Sequence, residues 1–197
     1  MLTAESAGKS EHEVKGSRFI GYVVKVNSSE KVKDEAVRLR KAHSGSDHVV
    51  YAFIAGQGGE IEGMNDDREP KGSAGRPLLD LLRGKGVTNT ALLVVRYFGG
   101  TKLGIGGLSR AYRATGKAAL DNTVFQELTV YRRFTIMLTY EIYEQTRKIL
   151  INAGSIIDTE DFLTRVKISG RIPESETAAA GDLIKDLSKG ECFLQVD

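Results

Sequence analysis

The chain holds one cysteine, Cys192, among 197 residues, so it can form no intrachain disulfide and no thiolate zinc cage. No apolar run approaches the ~20 residues that span a bilayer, so neither a transmembrane helix nor a membrane partner is expected. The start, Met1-Leu-Thr-Ala-Glu-Ser-Ala-Gly-Lys9, lacks a basic stretch followed by an apolar one. The expectation is therefore no signal peptide and a cytoplasmic location. No Gly-x4-Gly-Lys-Ser/Thr run exists near position 104, which excludes a Walker A loop there. A dinucleotide fingerprint would need glycine or alanine where Ser109 stands, and neither Asp121 nor Glu127 follows a suitable strand. His12, His43 and His48 do not have zinc-motif spacing, and no Ser-His-Asp arrangement can be defended, so no metal and no cofactor are expected.

What is present is unevenly placed. The net charge is only +2, yet residues 66–117 carry ten Lys/Arg against four Asp/Glu, a local net of +6. Residues 1–65 balance nine of each sign, and residues 124–197 set nine basic against twelve acidic side chains. Such asymmetry suits an anionic partner for one face. With 41% apolar residues, the chain can bury one or two ordinary cores.

The basic segment contains five glycines, Gly99, Gly100, Gly104, Gly106 and Gly107, between a strand pattern at Ala91–Val95 and a helix pattern from Leu108. Glycine adopts φ > 0 freely and lets a partner approach the backbone. A loop of this kind feeding a helix N-terminus presents free N–H groups to an anion. The same glycines would also suit a tight crossover from strand to helix. Arg110, Arg113 and Lys117 have i, i+3, i+7 spacing and share one helix face. With Arg76, Arg96 and Lys102 they form the expected phosphate-binding set. Tyr97, Phe98 or Tyr112 could stack on a base, although Phe98 also reads as a core residue. Gly116, which costs ~1 kcal/mol relative to alanine inside a helix, points to close packing there.

Periodicity and punctuation place the elements. A strand or hairpin is expected over Lys9–Val26 with Gly16 and Gly21 at turns, a helix over Ser29–His43 capped by Ser29, and a strand over Val49–Ala55. A short helix from Pro77 to Arg83 ended by Gly84, a buried strand at Thr90–Tyr97 and a helix to about Asn122 follow. From Glu127 the expected order is β-α-β-β-α-β, with strands at Leu128–Leu138, Ser155–Phe162, Leu163–Gly170 and Cys192–Val196. Its helices are Glu141–Ala153 and Glu174–Leu187. The expected domains are residues 1–123 and 124–197.

A polar loop holds the best catalytic candidates: Asp66, Asp67 and Glu69, with Ser73 beyond and His48 on the preceding strand. Carboxylates could hold Mg²⁺ with a phosphorylated substrate, and a histidine could move a proton. Carboxylates adjacent in sequence, however, usually point apart and serve turns, and Ser73 reads as a helix cap. The favoured reading is a protein without enzymatic activity, with a phosphate- or nucleotide-binding enzyme as the alternative.

Three segments resemble the YigZ/IMPACT family. Arg96-Tyr-Phe-Gly-Gly-Thr-Lys-Leu-Gly-Ile-Gly-Gly-Leu-Ser-Arg-Ala-Tyr112 resembles its glycine-rich signature. Asn65-Asp-Asp-Arg-Glu-Pro-Lys-Gly-Ser-Ala-Gly-Arg-Pro77 is similar to its acidic loop, with Arg68 where that loop usually has glycine. Lys15-Gly-Ser-Arg-Phe-Ile-Gly21 is similar to its N-terminal strand, and His48 and Tyr51-Ala52-Phe53 fit its second strand. A cysteine often seen there in the family is Val50 here. The resemblance runs from about Lys9 to the C-terminus. It implies an α+β protein: an N-terminal domain like domain 2 of ribosomal protein S5, then a ferredoxin-like domain similar to the last domain of elongation factor G. It also implies translational control, in which eukaryotic relatives act through a protein partner. The expected function is a translation-associated regulator binding RNA, the ribosome or a translation-regulatory protein, with a pure protein adaptor as a further alternative. The oligomeric state is open.

Overall fold

The computed structural model describes residues 1–197, and its N-terminal unit, Met1–Leu128, is built around an apolar run that needs cover on both sides. Its elements are β1 (Leu2–Ala4), β2 (Gly8–Val14), β3 (Ser17–Lys25), α1 (Ser29–Ala42), β4 (His48–Ala55), β5 (Ile61–Asn65), α2 (Gly75–Lys85), β6 (Thr90–Tyr97), α3 (Gly104–Asp121) and β7 (Phe125–Glu127). Five strands form one antiparallel sheet in the order β2-β3-β6-β4-β5, with β6 at its centre.

Strand side chains alternate, so β6 serves two cores. Leu92 and Val94 pack with Phe19, Leu78, Leu82 and Tyr112 under α2 and α3. Leu93 and Val95 pack with Ile20, Val32, Leu39 and Phe53 under α1. The central strand is therefore apolar on both faces, which is why it reads as an unbroken hydrophobic run. Gly116 lies where α3 meets α2 and β6: a Cβ there would sit 2.8 Å from Leu78 Cδ2 and 2.9 Å from Leu92 Cδ2. The close packing expected at this glycine is present.

Several local readings shift. Gly16 turns the β2–β3 hairpin with φ +76°, but Gly21 lies within β3, where a Cβ would press on Ser10 Oγ. Ser28, not Ser29, caps α1 by accepting from the Lys31 N–H at 3.4 Å. Helix α2 starts before Pro77 and runs through Gly84 to Gly86, whose φ of +68° ends it. Strand β5 is not among the expected elements. Strands β1 and β7 pair Leu2 with Glu127, Thr3 with Gln126 and Ala4 with Phe125. That pairing ties residues 125–127 to the N-terminal unit, so the break falls between Leu128 and Thr129, later than the expected residue 123.

The C-terminal unit, Thr129–Asp197, contains β8 (Tyr131–Leu138), α4 (Tyr140–Asn152), β9 (Ile156–Phe162), β10 (Val166–Pro173), α5 (Thr177–Leu187) and β11 (Gln195–Val196). Its antiparallel sheet has the order β11-β8-β10-β9, the ferredoxin-like plan. Phe134, Ile136 and Leu138 alternate inward against Leu150, Ile168 and Ile184. Cys192 is buried there and precedes a final strand shorter than expected. The α+β class is as the resemblance implies. No helix is long and apolar enough to cross a membrane.

Candidate functional site

Arg96 follows five buried apolar residues, Ala91–Val95, near the end of β6, where an unpaired guanidinium would be costly. Its Nη1 donates to Glu69 Oε1 at 2.6 Å and its Nη2 to Ser17 Oγ at 3.3 Å. Both side chains of the Arg96–Glu69 pair are about nineteen-twentieths buried, at 5% and 4% exposure. The Tyr112 hydroxyl donates to the same Glu69 oxygen at 2.8 Å. Burial first, and then the Glu69 charge, push the Tyr112 phenol far above its ordinary pKa, so it remains a proton donor. His48 Nε2 lies 3.8 Å from Glu69 Oε1, while its Nδ1 is 2.8 Å from the Asp67 carbonyl oxygen. A carbonyl only accepts, so Nδ1 carries the proton in that contact. The acidic loop and the glycine-rich segment are thus joined through a buried ion pair.

The expected roles of several residues change in consequence. Arg96 is no free phosphate ligand, because it is buried and paired. Tyr112 is fully buried against Phe19, with ring centroids 5.2 Å apart, and cannot stack on a base. Phe98, in contrast, is 45% exposed rather than core. Its ring lies over the Arg96 guanidinium at 5.5 Å.

The acidic loop uses its carboxylates for structure. Asp66 Oδ1 accepts from the N–H groups of Ala74 and Gly75 and Oδ2 from Gly72, which caps α2. Ser73 was expected to cap; instead its hydroxyl donates to the Pro70 carbonyl at 2.6 Å. Asp67 Oδ2 accepts from the Val49 N–H at 2.6 Å and pairs with Arg40. The chain turns through the left-handed region at Asp67 and Arg68, with φ of +43° and +69°. Because Asp66, Asp67 and Glu69 serve three separate sets of donors, they form no shared oxygen cluster of the kind a divalent ion needs. The metal-dependent reading loses its geometric basis.

The glycines divide by task. Gly99 packs against the backbone of Gly16 and Ser17, leaving no room for a Cβ, and its N–H donates to Ser17 Oγ at 3.1 Å. Gly100 and Gly104 have φ of +82° and +71°. Gly106 and Gly107 lie in the first turn of α3, where the helix has no side-chain cap and no acidic residue. A Cβ on Gly106 would meet nothing closer than 3.6 Å, so packing does not demand glycine there.

A cleft of about 340 Å³ opens between the two loops. Glu69, Arg96 and Leu108 line it together with Phe98, Lys102 and Ile105. Arg110, Arg113 and Lys117 lie elsewhere, exposed along α3, with Arg113 and Lys117 beside α2 and Arg110 beside His12, Val14 and Lys15 of the β2–β3 hairpin. Arg76 on α2 pairs with Asp80 at 3.0 Å and Lys117 with Asp121 at 2.7 Å, while Arg110 and Arg113 make no salt bridge.

On the far side of the sheet, His43 is held between two tyrosines, with Tyr22 Oη and Tyr97 Oη each 2.8 Å from a ring nitrogen. Desolvation, then the charges of Lys9 and Arg18, hold its pKa below the ordinary value. A histidine with a lowered native pKa stays neutral in the fold while the unfolded chain takes up the proton. Its contribution to stability is complete above the unfolded pKa of ~6.5 and declines as pH falls below it. Urea midpoints should therefore fall on acidification through that window, and His43→Gln should flatten part of the fall. An unchanged pH profile in the variant would remove His43 as a source.

The Impact N-terminal domain family model matches residues 15–120, a stretch that contains every residue of the buried cluster and both loops. The chain is 29% identical over 190 residues to the IMPACT family member YvyE of Bacillus subtilis (strain 168), covering 96% of this chain and 88% of that protein. It is 31% identical over 184 residues to the IMPACT family member YigZ of Escherichia coli (strain K12), covering 92% and 90%. A crystal structure of an hypothetical protein matches the fold with a TM-score of 0.73 at 29% identity, over 100% of this chain and 96% of the other.

Proposed function

This chain belongs to the IMPACT family, and from that premise we propose that it is a cytoplasmic, translation-associated binding protein that meets RNA or the ribosome through the exposed face of α2 and α3. The observation that carries this reading is the pair of exposed guanidinium groups, Arg110 and Arg113, neither of which makes a salt bridge. Lys117 and Arg76 extend the stripe, and their surface pairs with Asp121 and Asp80 are weak enough to exchange for phosphate. A row of cations on one helix face matches the spacing of a nucleic-acid backbone better than it matches a small ligand, and release of counterions would drive the association. The resemblance implies translational control, which makes RNA and the ribosome the polyanions to test first.

Co-sedimentation with ribosomes and with RNA tests the reading, comparing wild type with the Arg110→Glu, Arg113→Glu, Lys117→Glu variant. These side chains are exposed, so the variant is expected to melt close to wild type. Wild type should pellet with ribosomes or RNA at low salt, and the variant should remain in the supernatant. Equal behaviour of the two proteins would overturn the proposal. Retention of the wild type on its partner after nuclease treatment would assign the face to a protein instead.

A further inference from the structure

The cleft between the acidic loop and the glycine-rich segment holds groups that the basic face does not use. Arg96 lines it, is 4% exposed, and leaves its Nε buried without any hydrogen-bond partner. The 18-residue helix α3 begins at the same cleft, with no capping side chain and no acidic residue in its first turn. Its first N–H groups therefore lack side-chain acceptors and carry the positive end of the helix dipole. Gly106 keeps that turn bare although packing would admit a side chain, at a cost in helix stability relative to alanine. Lys102 adds a full positive charge at the rim. Phe98 and Ile105, 45% and 66% exposed, leave an apolar surface beside these cations.

We propose that this cleft holds one unstacked nucleotide of a single-stranded RNA, with its phosphate at the N-terminus of α3 beside Lys102 and its base against Phe98. The proposal rests on the RNA-binding reading above and assigns a second, base-contacting site to it. The distribution of charge sets the orientation. The phosphate goes beside Lys102 and Gly104, because Glu69 would repel it. The base, which carries N–H donors and acceptors on its edge, faces the Glu69–Arg96 pair. Phe98 already lies over the Arg96 guanidinium, so a base stacked on it would extend an existing cation–aromatic contact. An acidic peptide would satisfy the cations but would leave Glu69 facing a second carboxylate.

The test is fluorescence anisotropy with a short labelled single-stranded RNA and the same sequence as a duplex, using the full chain. Phe98→Ala should weaken single-strand binding roughly ten-fold, the scale of one lost base–aromatic stack. It should leave duplex binding unchanged, because a paired base cannot enter the cleft. Lys102→Glu should weaken single-strand binding as well, which keeps the test valid if the Phe98 variant alters the loop. If both variants bind the single strand like wild type while Arg110→Glu, Arg113→Glu, Lys117→Glu does not bind, the cleft proposal is overturned and the basic face stands. If the cleft variants lose binding and the charge-reversed helix does not, the cleft stands and the basic face is wrong. Absence of single-strand binding by wild type at low salt overturns both.

Discussion

Glu69→Ala is expected to lower stability by about 3–5 kcal/mol, the scale for removing one partner of a buried ion pair. The variant would leave the Arg96 guanidinium buried with only the long contact to Ser17, and the Tyr112 hydroxyl without its acceptor. Both losses fall on groups no more than 5% exposed, so the remaining guanidinium and hydroxyl would be poorly solvated. The double variant Glu69→Leu, Arg96→Met should be less destabilised than Glu69→Ala, because removing both charges ends the desolvation penalty. Urea denaturation of the three proteins measures this. A Glu69→Ala midpoint equal to wild type would mean that the acidic loop is not joined to the sheet through this pair.

Gly99→Val should cost stability at or above the upper end of the about 1–3 kcal/mol typical of overpacking. Backbone atoms of Gly16 and Ser17, not a flexible side-chain end, occupy the space a Cβ would need. Relief would require the β2–β3 hairpin and the glycine-rich segment to separate, which would break the Gly99 N–H bond to Ser17 and displace neighbouring Phe98. The phosphate-loop reading predicts a different pattern, in which this substitution spares the fold and harms only anion binding. Thermal melting decides between them, since the packing account requires a lower Tm without ligand. Gly106→Ala offers the contrast: its Cβ meets only ordinary contacts, so its Tm should be unchanged or raised.

The long elements were legible because burial imposes a period on them. Ala91–Val95 are buried and apolar on both faces of β6, and α3 repeats small and apolar residues at helical spacing up to its end. Short pairings were not legible: β1 and β7 have three residues each, too few to show a period, and they meet across most of the unit's length. Ser73 was read as a cap because serine favours that place locally, whereas Asp66 reaches the same N–H groups from eight and nine residues away. The most informative signal misread was Arg96 itself. A charged residue closing a buried apolar strand demands a buried partner, and that demand pointed to a carboxylate elsewhere in the chain. Only the folded loop identifies Glu69 as that partner. Helical spacing puts the side chains at positions 110, 113 and 117 on one face of α3, and all three are exposed.

The salt dependence of RNA binding measures directly whether Arg110, Arg113 and Lys117 carry phosphate contacts. Log Kd should change linearly with log salt concentration, with a slope that reflects about three or four contacts for wild type. The Arg110→Glu, Arg113→Glu, Lys117→Glu variant should lose most of that slope along with its affinity. Binding that ignores salt, or an identical slope in the variant, would contradict the account.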